Sequence, residues 1–248
     1  MEDKTQLTAW SKRMVLAGAA RSPDLLAQAR SLDPADPQHK QPLNALAERA
    51  ANAAGSASRR DHGTHLHTLS EYVDRGEPLP AHSAADVADM AAYKLATVHL
   101  DVIHVERLVV VDDLRVAGTP DRISYYDGPG PDGDYLTGNL ITDLKTGSLQ
   151  HGTLKFAMQL AVYSRGQFYD HTTGARSPLP QVNPHWGLII HLTPGSAICT
   201  VHWIDLALGW DAVQVARQVR AMRSRKSVLK QFDPTATIKE VVASGLNV

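Results

Sequence analysis

Asp143 and Lys145 flank Leu144 at the end of a strand-like stretch, Tyr135 to Leu144. Side chains repeat on one face every second residue along a strand, so the carboxylate and the ammonium share a face. Such a carboxylate can bind a hard cation such as magnesium. The lysine can orient or deprotonate an attacking water, or neutralise charge on a phosphate. A second carboxylate, Asp121, follows Gly118-Thr119-Pro120 and enters a run of Ile and Tyr. Two carboxylates brought close repel unless a cation lies between them. On a helical reading of Gly63 to Glu71, His67 and Glu71 lie four residues apart and share a face, as do Gly63 and His67. His62 and His65 lie off that face. Gln159 and Tyr163 are likewise four apart and could reach a phosphate or a base together. Taken singly each group also reads as ordinary structure: an exposed Asp/Lys pair, a turn aspartate, a solvated helix face, a packed tyrosine with a wet hydroxyl.

The elements that must carry these residues are legible in outline. Residues 1-60 are Ala-rich and read as a helical segment broken by polar turns, with Ser22 and Pro23 opening a helix through Ala29 and another at Leu43 to Ala54. Residues 61-248 read as the main domain. A helix is expected over His62 to Arg75, and another from Ser83 or Asp86 to about Ile103. Three strands follow: Leu108 to Val111, Val116 to Tyr126, and Tyr135 to Leu144, suggesting an antiparallel meander. A helix over Leu154 to Tyr169, a polar loop over His171 to Pro184, strands at Trp186 to Leu192 and Ala197 to Ile204, and a basic helix at Trp210 to Lys230 complete the order. The expected class is α/β: a central mixed sheet containing the meander, flanked by helices, with the helical segment ahead of it.

Composition removes several function classes. Apolar residues make up 43% of 248, enough for a real core, and the formal net charge is −1, so a nucleic-acid surface must be local. One cysteine, Cys199, excludes a disulfide framework, a four-cysteine zinc site and a cysteine-ligated iron–sulfur cluster; its strand-like setting reads as a small core hydrophobe. The first six residues are polar, and no stretch approaches the length of a membrane span, so a cytoplasmic, membrane-free protein is expected. Basic residues concentrate in the last helix, where Arg217 and Arg220 share a face and no acidic residue occurs from Gln214 to Gln231. Arg59 and Arg60 precede the His67 helix. All four are candidates for phosphate contacts.

In order, these groups resemble the RecB-like branch of the PD-(D/E)XK nuclease superfamily. The Gly-Thr-x-x-His helix is matched by Gly63, Thr64 and His67, and the Gly-x-x-Asp strand by Gly118 and Asp121. The Asp-x-Lys strand is matched by Asp143 and Lys145, and the Gln-x-x-x-Tyr helix by Gln159 and Tyr163. The resemblance spans about Asp61 to Tyr163. It implies a restriction-endonuclease-like core and a Mg²⁺- or Mn²⁺-dependent deoxyribonuclease using two-metal chemistry. By resemblance, Asp121, Asp143, the Leu144 carbonyl and His67 bind metal, Lys145 handles the water, and Glu71 is a further carboxylate. Gln159 and Tyr163 then hold the strand. Relatives with an iron–sulfur cluster use four cysteines, which this chain lacks. It is therefore expected as a stand-alone exonuclease of the phage recombination type, on single- or double-stranded DNA. A homo-oligomer and a single-strand-annealing or replication partner are both compatible with that reading. Endonuclease or flap cleavage and a catalytically inactive DNA-binding protein on the same fold remain alternatives. An unrelated metallohydrolase built on the twelve histidines ranks last, because no HExxH motif supports it.

Overall fold

The computed structural model describes residues 5–225 and Leu229; Lys226 and Lys230 of the expected final helix, and the side chain of Arg59, lie outside the described residues. Two compact units divide the chain, Met1–Val213 and Gln214–Val248.

The first unit opens with three helices, α1 (Thr5–Arg21), α2 (Pro23–Arg30) and α3 (Lys40–Ala53). Helices α1 and α3 cross so closely that a Cβ on Gly18 would lie 1.6 Å from the Ala50 carbonyl oxygen. Pro23 stands at the start of α2 after Ser22, as expected, although the Ser22 hydroxyl makes no capping bond. Helix α4 (Ser56–Asp74) begins before the expected boundary at residue 60 and carries Gly63, His67 and Glu71.

Helix α5 (Ala84–Ala96) starts with a reciprocal capping box between Ser83 and Asp86. It ends well short of Ile103. Leu100–Val105 instead forms strand β1, paired antiparallel with the strand that follows Asp121. The Ala and Leu content of this stretch favoured helix, but Val102, Ile103 and Val105 are β-branched and tertiary pairing decides the outcome. The expected strand at Leu108 is β2 (Val109–Val111), and it belongs to a different sheet. The expected Val116–Tyr126 strand breaks at Thr119-Pro120 into β3 (Val116–Gly118) and β4 (Arg122–Pro129); proline cannot donate to a ladder. The meander is therefore real but differently composed: β1, β4 and β5 (Tyr135–Lys145).

Helix α6 (Thr153–Tyr163) also stops early, and Gln167–Tyr169 becomes β6, paired with β2. Gly166 lies against β2, where a Cβ would sit 2.2 Å from Val109. The expected polar loop contains β7 (Arg176–Pro178). Strands β8 (Trp186–Thr193) and β9 (Ile198–Asp205) and helix α7 (Leu206–Arg223) fall near their expected places.

The architecture is α/β. A five-stranded mixed sheet runs β1-β4-β5-β8-β9, parallel only between β5 and β8, and a four-stranded antiparallel sheet runs β3-β2-β6-β7. Helices cover both faces of the mixed sheet. Ile123, Ile141 and Ile189 pack with Ala157 and Leu160 of α6 and with Leu206. Leu144, Ile190 and Leu192 pack with Leu66 and Leu69 of α4 and Met90 and Tyr93 of α5. Each fully buried side chain of this size contributes roughly 1.5–3 kcal/mol, so the end of β5 is clamped between two cores. Cys199 on β9 is partly buried against the second, and burial pushes its thiol up to about 11, as suits a packing residue. Among the described residues, no helix is long and apolar enough to cross a membrane.

Candidate active site

Strand β5 brings Asp143 to the centre of the sheet, 2% exposed, with Lys145 two residues on. The Lys145 ammonium contacts the Asp143 carboxylate directly and also lies 5.1 Å from the centre of the Phe156 ring on α6. The lysine contact falls on Asp143 Oδ2, so the buried carboxylate carries the lysine on one oxygen. Burial first, and then the negative charge of Asp121, push the Asp143 carboxyl up to about 6, against the pull of Lys145.

Asp121 sits just ahead of β4, after the Thr119-Pro120 break. Its Oδ2 accepts from the Leu144 amide at 2.7 Å and lies 3.3 Å from His67 Nδ1 on α4. Burial works to raise this carboxyl. His67, Arg122 and the Leu144 amide together hold it below the usual carboxylate range. The sequence motifs from α4, β4 and β5 therefore meet in space. Leu144, whose carbonyl is the expected metal-facing atom, also ties Asp121 to β5 through its amide.

The two glycines of the motifs have steric reasons. A Cβ on Gly63 would stand 2.9 Å from the Thr146 hydroxyl, so α4 can pass close over the end of β5. A Cβ on Gly118 would stand 2.6 Å from the Tyr163 hydroxyl, so the tyrosine lies directly over β3. Gln159 donates to that hydroxyl at 3.1 Å. Burial raises the Tyr163 phenol, and the charges of Asp143, Asp121 and Glu106 add to the effect. The Gln159/Tyr163 pair thus stands within the field of the carboxylates.

Glu71 lies close enough for its charge to act on Glu106 and is paired along its own helix. Its carboxylate accepts from Arg75 at 2.9 Å, one helical turn on. The carboxylate that sequence reasoning missed is Glu106, between β1 and β2. Its amide donates to the Asp121 carbonyl at 3.0 Å. Its side chain still reaches solvent, yet desolvation, Asp121 and Glu71 push its carboxyl up to about 7. Glu106 adopts φ 48, a left-handed conformation unusual for a residue with a Cβ. The only sequence signal was an acidic residue where the texture changes to Leu108-Val109-Val110-Val111.

Arg122 was also missed. It is 1% exposed, donates through Nε to Asp74 and through Nη2 to Ser70, and lies 5.2 Å from the centre of the Tyr93 ring. The Tyr93 hydroxyl donates to the other Asp74 oxygen at 2.8 Å. This buried network ties β4 to α4 and α5, and so positions Asp121 relative to His67. His65, off the His67 face as expected, pairs with Asp86 at 3.2 Å. Of the candidate phosphate-binding residues, Arg60 is exposed near Asp61. Arg217 and Arg220 are exposed in the second unit.

The donor set is rich in oxygen and hard, as magnesium or manganese requires. Among the described residues, no three His, Cys, Asp or Glu side chains are drawn together as a ready ligand set. The buried Asp143 carboxylate, raised by desolvation and by the Asp121 charge, is nevertheless the kind of group a divalent cation would balance. No protein-family model and no curated protein sequence matches this chain.

Proposed function

We propose that this chain is a divalent-metal-dependent nuclease with a PD-(D/E)XK core of the RecB-like type, hydrolysing phosphodiester bonds in DNA. One observation carries the reading: buried Asp143, raised by burial and by the charge of Asp121, with Lys145 against its Oδ2. Two carboxylates close enough for one to raise the other form a site that a divalent cation would balance. The order helix, three antiparallel strands, helix and parallel strand (α4, β1, β4, β5, α6, β8) supports the core assignment.

Asp121 and Asp143 would hold Mg²⁺ or Mn²⁺, with Glu106 at the rim and His67 against Asp121. The bound ion would supply Lewis acidity and an activated water. Lys145 keeps Asp143 ionised near neutral pH and places a positive charge where a phosphate enters. His67 holds Asp121 in place and ionised. Tyr163 and Gln159 present a hydroxyl and an amide on the α6 side, suited to gripping the nucleic-acid backbone. Exonuclease action in recombination, repair or replication is the specific reading.

The deciding experiment is a time course with Mg²⁺ or Mn²⁺ on end-labelled linear single-stranded, linear double-stranded and covalently closed circular DNA. Wild type should degrade linear DNA, while Asp143→Ala and Lys145→Ala each lose at least about 100-fold in rate. Equal degradation by wild type and variants, or none by any, overturns the assignment. Cutting of the circle replaces exonuclease with endonuclease.

A further inference from the structure

The second sheet leans an arginine over an aromatic ring beside Glu106. The Arg107 guanidinium lies 3.8 Å above the centre of the Phe168 ring, an ideal stacking distance for a planar cation. Phe168 is itself 3% exposed and held by β6 pairing to Val109 of β2. The His104 ring meets it edge-on at 4.9 Å. The platform is therefore rigid, and Arg107 is the exposed layer on top of it.

Several other cations of the first unit are committed. Arg75 is given to Glu71, Arg122 to Asp74 and Ser70, Lys145 to Asp143, and Arg176 to Asp112. Arg165 donates to the carbonyls of Ala161 and Pro184. Among the described residues, Arg107 has no hydrogen bond and no ion pair; its guanidinium lies over the Phe168 ring, with the His104 ring edge-on to the same phenyl. Its charge is paid out into solvent with all five donors free, in an orientation the stack has already selected. The twist at Glu106 is what produces this divergence. With φ 48 there, consecutive side chains can turn one toward Asp121 and the next onto Phe168.

We infer that Arg107, stacked on Phe168, is a binding subsite for a backbone phosphate of the nucleic-acid strand at the rim of the carboxylate site. The inference rests on the nuclease reading and extends it to a specific contact. Arg107 follows Glu106 directly in the chain, so its guanidinium stands at the rim on which Glu106 meets the Asp121 charge. A stacked arginine recognises a phosphate through paired N–H groups without reading the base, so the contact is independent of sequence.

The test is fluorescence anisotropy of full-length protein with a labelled single-stranded oligonucleotide and with a labelled duplex, in a metal chelator to prevent cleavage. Arg107→Gln keeps a stem over the ring and removes the charge. It should bind about 10-fold more weakly at low salt. The slope of log affinity against log salt should fall by about 0.7 on the single strand and about 0.9 on the duplex. Arg107→Lys should restore the slope but only part of the affinity, because the ammonium cannot stack as a plane. Phe168→Leu, which keeps the charge but loosens the platform, should weaken binding while leaving the slope in place. Affinity and slope unchanged in Arg107→Gln, with wild type cutting DNA, overturn the subsite and leave the nuclease standing. A wild type that neither binds nor cuts any of these substrates overturns both.

Discussion

Asp143 is a carboxyl that folding makes more basic, and this has a measurable sign. Its folded value, about 6, lies above the ordinary carboxylate value, so the native state holds the proton more tightly than the unfolded chain does. Native stability therefore falls as pH rises from about 4 through about 6, where an ordinary paired carboxylate would gain. Asp143→Asn removes that cost. In a chelator at pH 8 the variant should melt higher than wild type by the equivalent of roughly 1 kcal/mol, and the difference should vanish near pH 4. A variant less stable than wild type at pH 8 would show that the Lys145 contact outweighs burial. Glu106 raises the same issue from the rim. Its carboxyl, pushed up to about 7, should make cleavage climb between about pH 6 and 8, and Glu106→Gln should flatten the climb. An identical pH profile in the two proteins would remove Glu106 from the site.

At the scale of elements, the site depends on three close approaches. The Arg122–Asp74 pair is buried, with side chains 1% and 4% exposed, and joins β4 to the end of α4. Removing one partner leaves an uncompensated charge, so Asp74→Asn should destabilise by about 3 kcal/mol in urea. A shift below 1 kcal/mol would mean that water reaches the pair. Helix α7 meets α6 at Gly209, where a Cβ would fall 2.4 Å from the Ala157 backbone. Gly209→Ala should cost about 1–3 kcal/mol through backbone displacement. Gly118→Ala differs, because its Cβ meets only the far edge of Tyr163. Catalysis should suffer far more than stability there, and melting and rate measured together distinguish the two.

For the whole molecule, the carboxylates come from distant parts of the chain, Glu106, Asp121 and Asp143, and their mutual repulsion exists only in the folded state. An ion that binds them stabilises the native state by mass action. Saturating Mg²⁺ or Mn²⁺ should raise the melting temperature by several degrees at pH 8 and much less at pH 5, where the same carboxyls carry protons. A shift equal at both pH values would place the ion elsewhere. The near-zero net charge also sets a limit. With no global positive field, the proposed affinity for nucleic acid would have to come from a few placed cations and should show a modest salt slope.

The order of the motifs was legible because each is local. Gly63 to His67 lies within one helix, Asp143 and Lys145 share a face by alternation, and Gln159 and Tyr163 share one by helical spacing. Strand and helix periods alone determine those relations. The partnerships between elements were decided by tertiary structure. Leu100–Val105 became a strand because β4 offered it an edge, against its local composition, and Val109–Val111 left the meander for a second sheet. Glu106 entered the site through a backbone twist no residue type announces, and Arg122 was buried by partners forty-eight and fifty-two residues away. Glu71 gained a partner in Arg75 one turn on while its charge acts on Glu106 across the elements. Short-range spacing settles which side chains face the same way. Only packing settles what they face.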